Sequence, residues 1–191
     1  MFPIAGASGG TVTSCGNAGV TATTAFAATP GNGTVPTSFL STYLSYDLSS
    51  FNGKGVIATE GSAVLFAGFN VSPGSTISFN WEGGFQEGST GSLFYVLNGS
   101  LIVLDHILPL GQGLPGTFNS GSVTTGLAAG VNTIAFGAIT LQSNEVARVI
   151  ADPQIRLSNL AVTSTAVPEP ATLGLNGLAV AGLAFFGRRK R

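Results

Sequence analysis

Apolar and polar residues alternate through most of this chain. Leu40, Thr42, Leu44, Tyr46 and Leu48 share one phase of a two-residue period, and Ala63, Leu65, Ala67, Phe69 and Val71 share another. Ile77, Phe79 and Trp81 alternate with Ser78, Asn80 and Glu82. Successive side chains of an extended strand point to opposite faces, so this period predicts half-buried β-strands. Residues 94–97 and 101–104 are apolar in both phases, the pattern of strands covered on both sides. Between them Asn98-Gly99 predicts a tight hairpin, because both residues tolerate positive φ. Two later segments change phase: Ile134/Phe136 against Ile139/Leu141, with a bulge predicted at Gly137, and Ile155/Leu157 against Leu160/Val162 across Ser158-Asn159. Ser72-Pro73-Gly74, Gly83-Gly84, Leu114-Pro115-Gly116 and Ala129-Gly130 read as turns. No stretch before residue 165 sustains a capped helical period. The pattern predicts an all-β chain folded as an antiparallel, jelly-roll-like β-sandwich. Residues 1–35 read as an irregular or partly ordered N-terminal segment with room for first strands, and 36–164 as the sandwich ectodomain.

Residues 165–191 follow different rules. Val167-Pro168-Glu169-Pro170 precedes an uncharged apolar run, 171–187, which ends in Arg188-Arg189-Lys190-Arg191. Pro168 and Pro170 break any helix arriving from upstream, and Pro170 fits the first turn of a new one. Such a run predicts a single short C-terminal transmembrane helix. As a helix it spans roughly 25 Å, against a hydrocarbon core of about 30 Å. Asn176 and four glycines weaken it as a permanent span. The four terminal cations stay on the cytoplasmic side, so residues before Pro168 lie outside the cytoplasm.

These three ordered elements resemble the PEP-CTERM sorting signal of exported bacterial proteins. The resemblance implies that Val167, Pro168, Glu169 and Pro170 form a recognition motif for an exosortase-type membrane processing enzyme, and that Arg188, Arg189, Lys190 and Arg191 set membrane orientation. It further implies transient anchoring in the inner membrane, then release to the cell surface or medium of a bacterium that makes extracellular polysaccharide and biofilm. Residues 75–163 also resemble the β-sandwich ectodomains joined to such tails, through Ile77-Ser78-Phe79-Asn80-Trp81, the run ending in Asn98-Gly99, residues 128–134 and the strand 155–162. Those ectodomains look like carbohydrate-binding modules. The function implied is a non-enzymatic structural or adhesive surface protein, with a carbohydrate-binding module acting on exopolysaccharide as the alternative.

Charge sharpens this picture. Ahead of the tail, three basic side chains stand against seven acidic ones, a net of −4 that the basic end hides in the total of −1. An acidic body lacks the basic patch that nucleic acid requires. With 44% hydrophobic residues the chain is too apolar to remain disordered. No basic-plus-apolar export signal stands at the beginning, although Ala25-Phe26-Ala27 has the spacing of a cleavage site and residues 12–15 loosely match a lipoprotein box ending at Cys15. The expectation is that the sequence starts downstream of the true start.

Chemistry-bearing residues are sparse. His106 is the only histidine and Cys15 the only cysteine, so neither a metal site nor a cofactor is expected. Candidate ligand contacts are Glu82, Glu87, Tyr95 and Asp105: the carboxylates for hydroxyl groups or a glycosidase-like pair, the tyrosine for stacking on a sugar face. Trp81 shares the phase of Ile77 and Phe79 and is assigned to the core. Intact mass of protein from its native host tests the tail: the expected mass lacks Arg188–Arg191, and an unmodified mass retaining them contradicts the sorting signal.

Overall fold

The computed structural model describes residues 4–29, 33–51, 56–85, 91–107, 117–143 and 153–164. The PEP motif, the apolar run and the basic end lie outside them, as do Glu87 and the turn 114–116. Among the described residues eleven strands form two antiparallel sheets: β1 (Ser8–Cys15), β2 (Ala18–Val20), β3 (Thr24–Ala28), β4 (Val35–Pro36), β5 (Val56–Val71), β6 (Ser75–Phe85), β7 (Gly91–Leu97), β8 (Ser100–Ile107), β9 (Thr117–Gly126), β10 (Gly130–Ser143) and β11 (Gln154–Ser164). Sheet I runs β1-β5-β10-β7-β8, with β4 also on β5, and sheet II runs β2-β3-β11-β6-β9. Four of these strands lie before residue 37 and join both sheets, so the N-terminal segment is built into the sandwich.

The main core lies between the sheets. Phe66, Phe69, Phe79, Tyr95 and Phe136 meet there with Ile77, Leu93, Ile134, Ile155 and Leu157. The Phe79 ring stands edge-on to Phe136 at 4.8 Å and to Tyr95 at 5.4 Å, the favoured quadrupole geometry.

Sheet I buries its other face as well. Helix α1 (Thr37–Leu44) and a 3-10 turn (Leu48–Phe51) lay Leu40, Leu44 and Leu48 over Ala63, Phe94, Val96, Ala135, Ile139 and Leu141. This corrects the strand expected at 40–48: a spacing of four satisfies a two-residue period as well as a helical one. Ser45, at φ 51°, closes the helix, and the Tyr46 N–H returns to the Ser41 carbonyl. The helix approaches closely because Gly61 lies beneath it: a Cβ there would come within 2.6 Å of Leu40 Cδ2 and 2.8 Å of the Ala138 carbonyl oxygen.

Three further expectations change in the same light. Ile139 and Leu141 need no bulge at Gly137, since even positions of β10 face sheet II and odd ones face α1. Gly137 instead leaves room for the Phe94 ring, which a Cβ would meet at 2.5 Å. In β5 the bulge lies at Gly68 (φ 72°), so Val64, Phe66 and Phe69 face the main core while Ala63 and Leu65 face α1. Gly83-Gly84 is not a turn but part of β6, where a Cβ on Gly83 would strike Leu93 Cδ1 at 2.4 Å.

Other expectations hold. β7 is buried over six successive residues, as its doubly apolar run requires. Asn98 and Gly99 turn with φ of 48° and 79°. The Asn98 side chain accepts from the Thr133 N–H and donates to Asn132 Oδ1, tying the hairpin to β10. The Ser158-Asn159 switch is a register shift in β11, with Asn159 at φ 54°. Among the described residues no helix is long and apolar enough to cross a membrane.

Truncating Leu40 to alanine opens a cavity between α1 and sheet I and costs about 2–5 kcal/mol in chemical denaturation. Phe39→Ala, on the exposed side of the same helix, changes stability by no more than about 0.5 kcal/mol.

Candidate functional site

Of the two outer faces, that of sheet I is covered by α1 over its middle strands, while that of sheet II bears side chains directed to solvent. Cross-strand pairing sets the sheet II face in rows. One row reads Gly19, Phe26, Arg156, Glu82 and Ser120 across β2, β3, β11, β6 and β9. The next reads Ala28, Gln154, Gly84 and Phe118.

Two aromatic rings bound this face. Phe26 is 41% exposed and Phe118 69% exposed. Phe26 lies along Gly19, where a Cβ would come within 3.1 Å of its Cε1, so the glycine allows the ring to rest against β2. Three strand spacings, about 14 Å, separate β3 from β9, and the two rings stand in adjacent rows. Between them lies a depression of about 650 Å³, lined by Thr21, Thr24, Glu82, Asn119, Gln154 and Arg156 together with the rings.

The polar groups of the depression are charge-balanced. Arg156 is the one cation among the described residues, and its Nη1 lies 3.6 Å from Glu82 Oε1. Both side chains are more than 60% exposed, so water screens the pair and leaves its hydrogen-bonding capacity open to a ligand.

The sequence-predicted ligand residues scatter. Glu82 lies in the depression, on a strand. Asp105 lies on β8 in the other sheet, where it accepts from the Asn119 amide (2.7 Å) and the His106 main-chain N–H (2.8 Å). Through Asn119 it braces the rim without lining the depression. Tyr95 is a correction: it is 5% exposed inside the sandwich, where burial pushes its phenol pKa up, so it presents no ring to a sugar. Glu87 lies outside the described residues. Trp81 is half-buried against the main core, its indole over Gly121.

His106 Nδ1 bonds Ser92 Oγ, and Asp105 Oδ1 accepts from the main-chain N–H of His106. Ser92 is fully buried, so its hydroxyl meets no solvent-borne substrate. Cys15 is buried beneath α1, and burial raises its thiol pKa. No three His, Cys, Asp or Glu side chains among the described residues are grouped to hold a metal.

The features that sequence reading missed are Phe26, Phe118 and Arg156. Phe118 shares its phase with Ser120, Ser122 and Thr124, a polar phase that already pointed it outward. Phe26 sits opposite in phase to Ala25 and Ala27, and small residues on one side left the buried face ambiguous.

Comparison with known proteins bears first on the tail, where the PEP-CTERM protein-sorting motif matches residues 166–191. This covers Val167-Pro168-Glu169-Pro170, the apolar run and all four terminal cations. The chain carries a PEP-CTERM sorting motif. The motif implies an exported, surface-sorted protein that an exosortase processes. No curated protein matches the chain. Among solved structures, the chain is similar to a family 35 carbohydrate binding module from an environmental isolate (17% identity, TM-score 0.29, 86% of this chain and 94% of that one). It is also similar to the N-terminal cellulose-binding domain of Cellulomonas fimi β-1,4-glucanase C (13%, TM-score 0.36, 81% and 88%). A third is CBM35 from Paenibacillus barcinonensis (20%, TM-score 0.26, 82% and 100%).

The exposed ion pair ahead of the PEP-CTERM tail carries little of the fold. Arg156→Ala is expected to shift urea-denaturation stability by less than about 1 kcal/mol; a larger loss would make the pair a structural strut.

Proposed function

We propose that this chain is a non-catalytic, exported bacterial surface protein whose β-sandwich binds extracellular polysaccharide through the outer face of sheet II. The observation that carries the reading is the pair of exposed rings, Phe26 and Phe118, at either side of a polar, charge-balanced depression. A sugar ring presents apolar C–H patches and a rim of hydroxyls. Phenyl faces take the first, while Gln154, Asn119, Ser120 and the Glu82–Arg156 pair take the second. The strands are already held by the core, so little ordering cost attends binding.

The tail supplies place. In this reading 171–187 is a transient inner-membrane helix, Arg188–Arg191 stay cytoplasmic, and exosortase processing near Pro168-Glu169-Pro170 frees the ectodomain to the surface or matrix. The chain passes between sheets from β5 to β6, then to β7–β8, β9, β10 and β11, a connectivity that supports the jelly-roll-like description. A hydrolase would need two carboxyls facing one cleft, whereas Glu82 and Asp105 belong to different sheets.

Affinity electrophoresis in gels containing the producing bacterium's extracellular polysaccharide tests this. The wild-type protein is expected to be retarded, and Phe26→Ala and Phe118→Ala each to weaken binding by about tenfold, the scale of one aromatic contact of roughly 0.5–1.5 kcal/mol. Migration unaffected by the polysaccharide, or variants that bind as the wild type does, would refute the assignment.

A further inference from the structure

The two β-sheets have four edges, with the two-residue β4 beside β1 on one of them, and unpaired backbone at a sheet edge is a template for another strand. Three of the four edges here are blunted. β2 has only three residues. β1 is kinked by Gly9 and Gly10, at φ 70° and 94°, where its ladder with β5 skips a residue. β8 bulges at Leu104 and carries the Asp105 charge.

The fourth edge, β9, has none of these features. Its ten residues, Thr117–Gly126, pair with β6 without a register shift, from Thr117↔Phe85 to Gly126↔Thr76. They include no proline and no charged side chain. Among the described residues nothing pairs with the other side of β9.

We propose that β9 is a self-association edge, pairing antiparallel with β9 of a second copy of this chain about a two-fold axis near Gly121 and Ser122. The strand is suited to meet itself. In an isologous pair each residue faces the same ten-residue segment reversed, and a neutral strand brings no like charges together. With the axis at Gly121, its outward phase then sets Ser120 opposite Ser122 and Phe118 opposite Thr124 on one continuous surface. At the midpoint the half-buried Trp81 indole leans over Gly121, whose Cβ would lie 2.8 Å from Nε1. A second copy would cover this apolar body from the open side.

Pairing doubles sheet II from five strands to ten and sets the two depressions on one continuous face, toward opposite ends of the paired β9 strands. One strand ladder buries less than a standard interface, so the dimer is weak in dilute solution. Confinement of many copies to one surface raises their effective concentration and favours it. The inference requires no ligand and stands independently of polysaccharide binding.

The test uses the full chain in detergent solution. Sedimentation equilibrium across roughly 10 µM to 1 mM is expected to show a concentration-dependent dimer that Ser122→Lys/Thr124→Lys abolishes, with an unchanged far-ultraviolet circular dichroism spectrum. On mild oxidation Ser122→Cys is expected to form an intermolecular disulfide, while Thr163→Cys, exposed on β11, does not. A wild-type protein that stays monomeric, a dimer that survives both lysines, or equal cross-linking at the two cysteines would overturn the proposal. Should the lysine variant fail to fold, the cysteine pair decides.

Discussion

Sheet I must bury both of its faces, and the rest of the structure follows from that requirement. β7 and β10 are apolar in both phases, so covering one face with sheet II leaves a second apolar surface in water. At about 25 cal/mol per Å² of apolar surface, an uncovered sheet face is too costly to leave open. The chain meets this with α1 and the 3-10 turn, whose Leu40, Leu44 and Leu48 close over Ala63, Phe94 and Ile139. Gly61 and Gly137 set how closely the layers approach, since a side chain at either would collide with Leu40 or Phe94. With the helix seated on one outer face, the outer face of sheet II is the more open to a ligand lying flat.

Much of this was legible in the chain. The alternation in β6, the doubly apolar β7, the Asn98-Gly99 hairpin and the phase switch at Ser158-Asn159 appear where the pattern places them. The helix was hidden because leucines four apart satisfy a two-residue period equally well, and eight residues are too few for other helical positions to break the tie. The Gly68 bulge was hidden because β5 is apolar in both phases, so a change of phase leaves no gap in the pattern. Gly83-Gly84 looked like a turn because pairs of glycines usually are one. Here one of them makes room for Leu93 of the opposite sheet, a long-range contact that local sequence does not encode.

The site was less legible than the fold for a related reason. A binding face on a sheet is assembled from single residues on several strands, and each strand shows only one of them. Tyr95 looked available because it is aromatic, yet its strand is covered on both sides. Phe118 was marked outward by its serine and threonine neighbours in phase, but its value depends on Phe26, far away in sequence and brought onto the same face only by β11 and β6. The tail is the opposite case: its chemistry is contiguous, so the sorting motif could be read without a fold.

In the proposed reading, sorting and binding divide the chain between them. The PEP-CTERM motif implies export, and the sandwich is proposed to meet polysaccharide with the outer face of sheet II. The most direct measurement of that division is hydrogen–deuterium exchange of the full chain with and without the producing bacterium's extracellular polysaccharide. The account predicts that protection on binding concentrates in β3, β11, β6 and β9, with α1 unchanged. Protection centred on α1 or on β8, with none on those four strands, would contradict it.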